Sequence, residues 1–242
     1  SEASDTKIDW HHFVMSLYIV GAPVALILLQ PDLGSATVLV AGVAGVLLMA
    51  GAKRRYIALI SGLTIVSAVA VALAGVVDRY QLRRIDAFLN QDSTEKDLQQ
   101  IVLQVRFAKR AVASGGFFGK GYLQGPLTNG AFIPVQFSDF PFSAIGEQFG
   151  MIGGFVVLAI FGVILWRLWM ISRLARTRFD QLLISVVFSL MLFQIFQNIG
   201  MTLGLTPVSG LPLPFISYGG SHLVSSAMLV GLAQSIYMRR LR

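Results

Sequence analysis

Six long apolar runs constrain this chain more than any other feature, at residues 13–29, 35–52, 56–77, 140–166, 181–205 and 221–238. About 20 apolar residues suffice for a helix to cross a bilayer, so each run is read as a transmembrane helix, the two short ones tilted or mismatched. With 55% hydrophobic and 13% charged residues, the composition excludes a soluble globular domain. The expected fold class is an all-α integral membrane protein with six transmembrane helices and a long extracellular loop at 78–139.

The basic residues set the orientation. Lys53, Arg54 and Arg55 follow the second run, Arg167, Arg173, Arg176 and Arg178 the fourth, and Arg239, Arg240 and Arg242 the last. The short connections 30–34 and 206–220 hold no Lys or Arg. The positive-inside rule therefore puts both termini in the cytoplasm and 78–139 outside, since long loops escape the rule. The net charge of +7 is explained by this topology and does not mark a nucleic-acid partner. No cysteine is present, which removes disulfides and thiolate metal sites. The chain opens Ser-Glu-Ala without Met, as expected of a piece of a longer polypeptide.

Within 78–139, Leu98, Ile101, Val102, Val105, Ala108 and Val112 recur at helical spacing with Arg106, Lys109 and Arg110 interleaved. This predicts an amphipathic helix, lying either on the membrane surface or against neighbouring spans with its basic face in water. Gly42, Gly45 and Gly62, and Gly146, Gly150 and Gly153, form small-residue faces that permit close helix approach, to a partner or within the chain.

Acids carry the chemistry. Charge at mid-membrane costs roughly 2.5 to 3.5 kcal/mol, so an acid there usually faces a cavity or a site. Asp139 precedes Pro141 at the start of the fourth span, where the alternative role is a helix N-cap. Asp139, Ser143 and Glu147 are spaced by four, which predicts a polar stripe facing a cavity. Glu147 is split between substrate contact and scaffold. Asp32 lies in the turn "QPDLG", where a local hydrogen-bonding cap is its ordinary role. The stretch "SGGFFGKGYLQG", 114–125, offers backbone amides and Lys120 to an anionic group. The stretch "TPVSGLPLPFISYGGSH", 206–222, concentrates prolines and glycines around Ser217, Tyr218 and Ser221, which predicts an ordered non-helical element. His11, His12 and His222 lack zinc-ligand spacing.

The motifs "QPDLG", "GGFFGKGYLQG", "SDF" with "GEQFGMIGG", and "NIGMTLGLTPVSGLPLPFISYGGS" occur in the order found in the SEDS family, and the chain resembles its RodA- and FtsW-like members. The resemblance covers essentially the whole chain but only the last six of the family's usual ten helices. Residues 207–215 lean toward the RodA type. The family's His-Thr-Asp-Phe is Phe137-Ser138-Asp139-Phe140 here, and its Glu-Glu is Glu147-Gln148, so roles of that His and of the second Glu do not carry over.

The resemblance implies an inverting peptidoglycan glycosyltransferase that polymerises lipid II at the outer face of the bacterial cytoplasmic membrane, in elongation or division. A class B penicillin-binding protein is the implied partner, along with membrane lipids. The 4-hydroxyl of one sugar attacks the anomeric carbon of another and expels undecaprenyl pyrophosphate, which requires a base and a cationic counterpart. Asp139 matches the family's catalytic acid. Candidate substrate-binding residues are Glu147, Asp32, Lys120, Lys109, Arg110, Ser217, Tyr218 and Ser221. A divalent cation such as Mg²⁺ suits pyrophosphate beside a carboxylate. A lipid II flippase and a non-catalytic scaffold for the penicillin-binding protein are the alternatives.

Overall fold

A computed structural model of the chain describes residues 15, 21, 33–49, 62, 79–91, 93, 95–130 and 132–239, and every regular element among them is helical. The expected spans 13–29 and 56–77 lie, apart from single residues, outside the described residues, and so does Asp32. The elements are α1 (Leu33–Met49), α2 (Arg79–Leu89), α3 (Lys96–Ser114), α4 (Pro126–Asn129), α5 (Gln136–Asp139), α6 (Pro141–Leu174), α7 (Arg178–Leu203) and α8 (Gly220–Arg239).

Two of these, α6 and α7, are long and apolar enough to cross a membrane. Pro141 occupies the first turn of α6, where its missing N–H costs nothing. Thr177 caps α7 by accepting from Asp180 N, and Gly204 closes it in the left-handed region at φ 72. The expected span 140–166 is corrected in two respects. The helix runs on to Leu174, and it is broken at Gly150, whose φ of 64 and ψ of −159 are not helical. The part after the break, 151–174, is itself of membrane length.

The break is made good by the glycine-rich stretch that precedes it in sequence. Lys120 N and Gly121 N donate to Glu147 O and Gln148 O, each at 3.0 Å, while Met151 N donates to Gly116 O at 2.9 Å and Ile152 N to Phe117 O at 3.3 Å. Groups that an unbroken helix would pair internally thus find partners on 116–121, which matters where no water can serve. A Cβ on Gly150 would collide with the backbone of Gly119 and Phe117. The amides at Lys120 and Gly121, expected to face an anion, are committed to this junction.

Packing follows small residues and apolar faces. Gly42 and Gly45 press α1 against α7, where a Cβ on Gly45 would strike the Ser189 side chain, so this small-residue face serves the chain itself. Gly146 likewise admits Val112 of α3. Helix α3 packs on α6 and α7, burying Leu98, Ile101, Val102, Ala108 and Ala111 with Ala87, Phe140, Met201 and Val208. Of the two readings of this amphipathic helix, the structure fits the one that packs on neighbouring spans. A second core joins α6, α7 and α8 through Leu168, Ile184, Met191 and Ala233. By contrast Phe155, Val156, Leu158, Ile160 and Val163 of α6 are exposed, as a lipid-facing surface would be.

Candidate functional site

The non-helical stretch between α7 and α8 is strapped to both neighbours. Gln197 Nε2 donates to Pro207 O at 3.0 Å, and Asn198 Nδ2 donates to Leu211 O at 2.7 Å and to Asp139 O at 2.9 Å. Ser217 Oγ donates to Ser138 O at 2.6 Å and accepts from Leu213 N at 2.7 Å. Tyr218 N donates to Phe137 O at 2.9 Å. Ser217 and Tyr218 therefore hold the backbone of 137–138, and Asn198 of α7 holds that of Asp139. The ordered element read from the sequence is present, but the Ser217 hydroxyl is spent on the backbone. Tyr218 presents its ring outward at 83% exposure, and Ser221 is exposed too.

Asp139 ends α5 and stands one residue before Phe140, which is the N-cap of α6 and makes no side-chain cap bond. The N-cap role weighed for Asp139 is thus not the one observed. Its backbone is fixed by its N–H to Val135 O at 3.0 Å and by Asn198, while its carboxylate, partly exposed, makes no hydrogen bond or ion pair among the described residues. A held backbone under an uncommitted acid is a geometry suited to proton transfer.

The predicted polar stripe does not line a cavity. Ser143 is buried, accepting from Gln136 Nε2 at 3.0 Å and donating to Phe140 O at 2.7 Å. Glu147 is 0% exposed. Its Oε1 accepts from Leu127 N at 3.0 Å and Lys120 Nζ at 3.2 Å, and its Oε2 from Thr128 N at 2.7 Å and Thr128 Oγ1 at 2.6 Å. The physical reason is local: the amides opening the short helix α4 need acceptors, and a carboxylate inside α6 supplies them. Glu147 pins residues 120–128 onto α6.

The basic candidates disperse. Lys120 belongs to the Glu147 cluster and also donates to Ser114 Oγ at 2.7 Å. Lys109 Nζ donates to Gln91 Oε1 at 2.8 Å, beside Gly204, and Arg110 is exposed on α3. The residues that sequence reasoning passed over are Asn198, a polar group in an apolar run, and Arg84, one of two adjacent arginines in an amphipathic segment. Arg84 Nη1 donates to Ser209 O at 3.1 Å. Its Nη2 and Asp139 Oδ2 each lie 3.9 Å from the point that a Cβ on Gly210 would take. Among the described residues no three His, Asp or Glu side chains converge. The described residues thus hold no cage for Mg²⁺, and the lone carboxylate of Asp139 suits the ion as a partner to phosphate ligands, its common mode of binding.

Residues 2–241 match the family model described as "Cell cycle protein", of the FtsW, RodA and SpoVE type. The chain is 30% identical over 227 residues to the Escherichia coli (strain K12) peptidoglycan glycosyltransferase MrdB, covering 93% of this chain and 60% of that protein. It superposes with a TM-score of 0.74 at 28% identity on a chain of a peptidoglycan synthase complex described for its structural coordination of polymerization and crosslinking, covering 98% of this chain and 64% of that one. A mutant of the Thermus thermophilus rod shape determining protein RodA matches with a TM-score of 0.63 at 26% identity, covering 99% and 61%. The chain spans less than two thirds of the length of each of these proteins.

Proposed function

From the membership of this membrane protein in the FtsW, RodA and SpoVE family of cell cycle proteins, we propose that it forms the reacting part of a peptidoglycan glycosyltransferase that polymerises lipid II. The observation that carries the reading is Asp139, with its backbone clamped by Asn198 and its carboxylate left uncommitted. In this reading the carboxylate accepts the proton of the attacking 4-hydroxyl as the new glycosidic bond forms and undecaprenyl pyrophosphate leaves, with inversion at the anomeric carbon. The clamped 137–140 backbone holds the base within reach of the hydroxyl, where a small displacement is costly. Asp139 is the residue that would help hold a divalent cation such as Mg²⁺ at this site, and the ion would supply charge neutralisation for the leaving diphosphate.

The remaining parts follow the topology. The chain supplies the last six of ten spans, with both its termini in the cytoplasm and 78–139 on the outer face of the bacterial cytoplasmic membrane, where lipid II presents its sugars. A class B penicillin-binding protein is the crosslinking partner, a role supported by the likeness to a chain of a peptidoglycan synthase complex. The work belongs to elongation, by the RodA-type sequence of 207–215, with division as the other family role. The test is polymer formation by the full-length protein from purified lipid II in liposomes, with Asp139→Asn alongside. Glycan strands from the wild type and none from the variant support the reading. Lipid movement without polymer would make the protein a transporter, and neither activity would make it a scaffold.

A further inference from the structure

The glycine-rich stretch that bridges the break in α6 turns its backbone inward and its large side chains outward. A Cβ on Gly115 or Gly119 would collide with the backbone of Gly146 or Gln148, so the stretch lies directly on α6. Besides the bonds across the break, Gly119 N donates to Gly115 O at 2.8 Å, Gln124 N to Gly121 O at 3.1 Å and Leu123 N to Gln148 Oε1 at 3.0 Å, while Leu123 O accepts from Asn129 Nδ2. Lys120, the one charged residue in 114–125, is folded back onto buried Glu147 at 3.2 Å. What faces outward is apolar: Phe117, Phe118, Tyr122 and Leu123 are exposed, Phe118 by 80%. They adjoin exposed Phe149, Met151 and Ile152 at the break, with the Tyr122 and Phe149 rings 6.2 Å apart.

The far end of α6 sets the depth of this patch. Trp166 and Trp169 are exposed there beside Arg167 and Arg173, the mixture of aromatic and basic residues that marks a membrane interface. From Arg167 back to Gly150 the helix rises about 25 Å, against a hydrocarbon core of about 30 Å. The break, and the stretch bonded to it, therefore lie inside the apolar layer close to its opposite boundary. Irregular backbone survives at that depth only with its polar groups paired in protein and its charges neutralised, and 115–124 meets both demands. The outward rings point to lipid as the neighbour. Protein contacts within a bilayer favour small residues, as at Gly42 and Gly45 against α7, whereas this stretch spends its glycines on α6 and turns aromatic rings away from it.

We propose that residues 116–123 form a membrane-inserted loop, with Phe117, Phe118, Tyr122 and Leu123 seated among lipid acyl chains just below the headgroups, at the end of α6 away from Arg167. Its partner is the bilayer itself. The loop rests on the proposed topology only for naming that leaflet the outer one, and its depth is measurable without turnover.

The experiment uses the full-length protein in liposomes of phosphatidylcholine and phosphatidylglycerol, any cysteine outside this cysteine-free chain being replaced by serine. Phe118→Cys, Tyr122→Cys, Val163→Cys and Gln99→Cys, all at exposed positions, each carry one environment-sensitive fluorophore and are checked for an unchanged unfolding midpoint. Quenching is measured with aqueous iodide and with lipids bearing a nitroxide high or low on the acyl chain. The Phe118 and Tyr122 probes should be quenched several-fold more by the shallow nitroxide than by iodide. Val163, on the exposed apolar face of α6, should answer to the deeper nitroxide, and Gln99 of α3 to iodide. Iodide quenching at Phe118 and Tyr122 equal to that at Gln99 would place the loop in water and overturn the proposal. Protection from iodide and nitroxides alike would overturn it too, because protein would then cover the patch. The leaflet is read separately, by an impermeant thiol reagent added outside intact spheroplasts that make Gln99→Cys. Modification there supports the outer leaflet. If Gln99→Cys resists while the lipid quenching at Phe118 persists, the proposed topology fails and the inserted loop stands.

Discussion

Asp139 and Glu147 flank the first two turns of α6, and their surroundings are opposite. Glu147 is fully buried, and each of its carboxylate oxygens accepts two donors from Lys120, Leu127 and Thr128. Asp139 is partly exposed; its backbone is held by Val135 and Asn198 while its carboxylate has no such partner among the described residues. A saturated acid stabilises structure, and removing it orphans every donor it served. An acid held by its backbone alone keeps its oxygens for a ligand. Two carboxylates near one helix entry are thus set apart, and hydrogen-bond satisfaction distinguishes them where sequence spacing does not.

Mutations can break this contrast or sharpen it. The largest effect is expected at Asp139. Asp139→Asn keeps the shape and should lower the polymerisation rate about 10²- to 10⁴-fold, with an unchanged unfolding midpoint in detergent. A lowered midpoint would move Asp139 to the structural side. Glu147→Ala should cost about 3 kcal/mol or more, because it leaves Lys120 and two amides without their acceptor. Limited proteolysis should then cut within 115–130, and resistance there would deny Glu147 its clamping role. Gly150→Val should cost roughly 1–3 kcal/mol from the left-handed φ alone, and more from collision with the backbone of Gly119 and Phe117. An unaltered midpoint would mean that the break is not needed.

Smaller effects come from the strap. Asn198→Ala removes the bonds to Asp139 O and Leu211 O, so kcat should fall roughly tenfold, the scale of one lost positioning bond, with KM for lipid II little changed. Ser217→Ala should cost only about 1 kcal/mol, read as a small fall in the unfolding midpoint with polymer still made. A larger loss of activity than of stability would return Ser217 to substrate contact.

Much of this was legible in the sequence. The long helices α6 and α7 follow from apolar length, and α3 from the spacing of Leu98, Ile101, Val102 and Ala108, all of which are buried. The order of 206–222 was legible because prolines and glycines restrict the backbone in readable ways, and Asp139 stood out as a candidate by its place before Pro141. The break at Gly150 was not, since an apolar run containing glycine reads as one helix, and the hydrogen bonds that open it come from a segment some 30 residues earlier in the chain. Spacing by four put Glu147 on the same face as Asp139, but only the fold shows that α4 docks on that face first. Arg84 gave a faint signal, two arginines beside Leu82 and Ile85 in a segment passed over as loop, and its nearness to Asp139 depends on where Gly210 lies.

The central claim is that Asp139 does chemistry and Glu147 does not. Its most direct test is the lipid II polymerisation rate of Glu147→Gln per folded molecule, with the folded fraction measured on the same sample and Asp139→Asn run beside it. The amide keeps one acceptor oxygen for the α4 amides, so the variant should be less stable yet polymerise within a few-fold of the wild type once normalised. A normalised rate for Glu147→Gln that falls as far as that of Asp139→Asn would contradict the account.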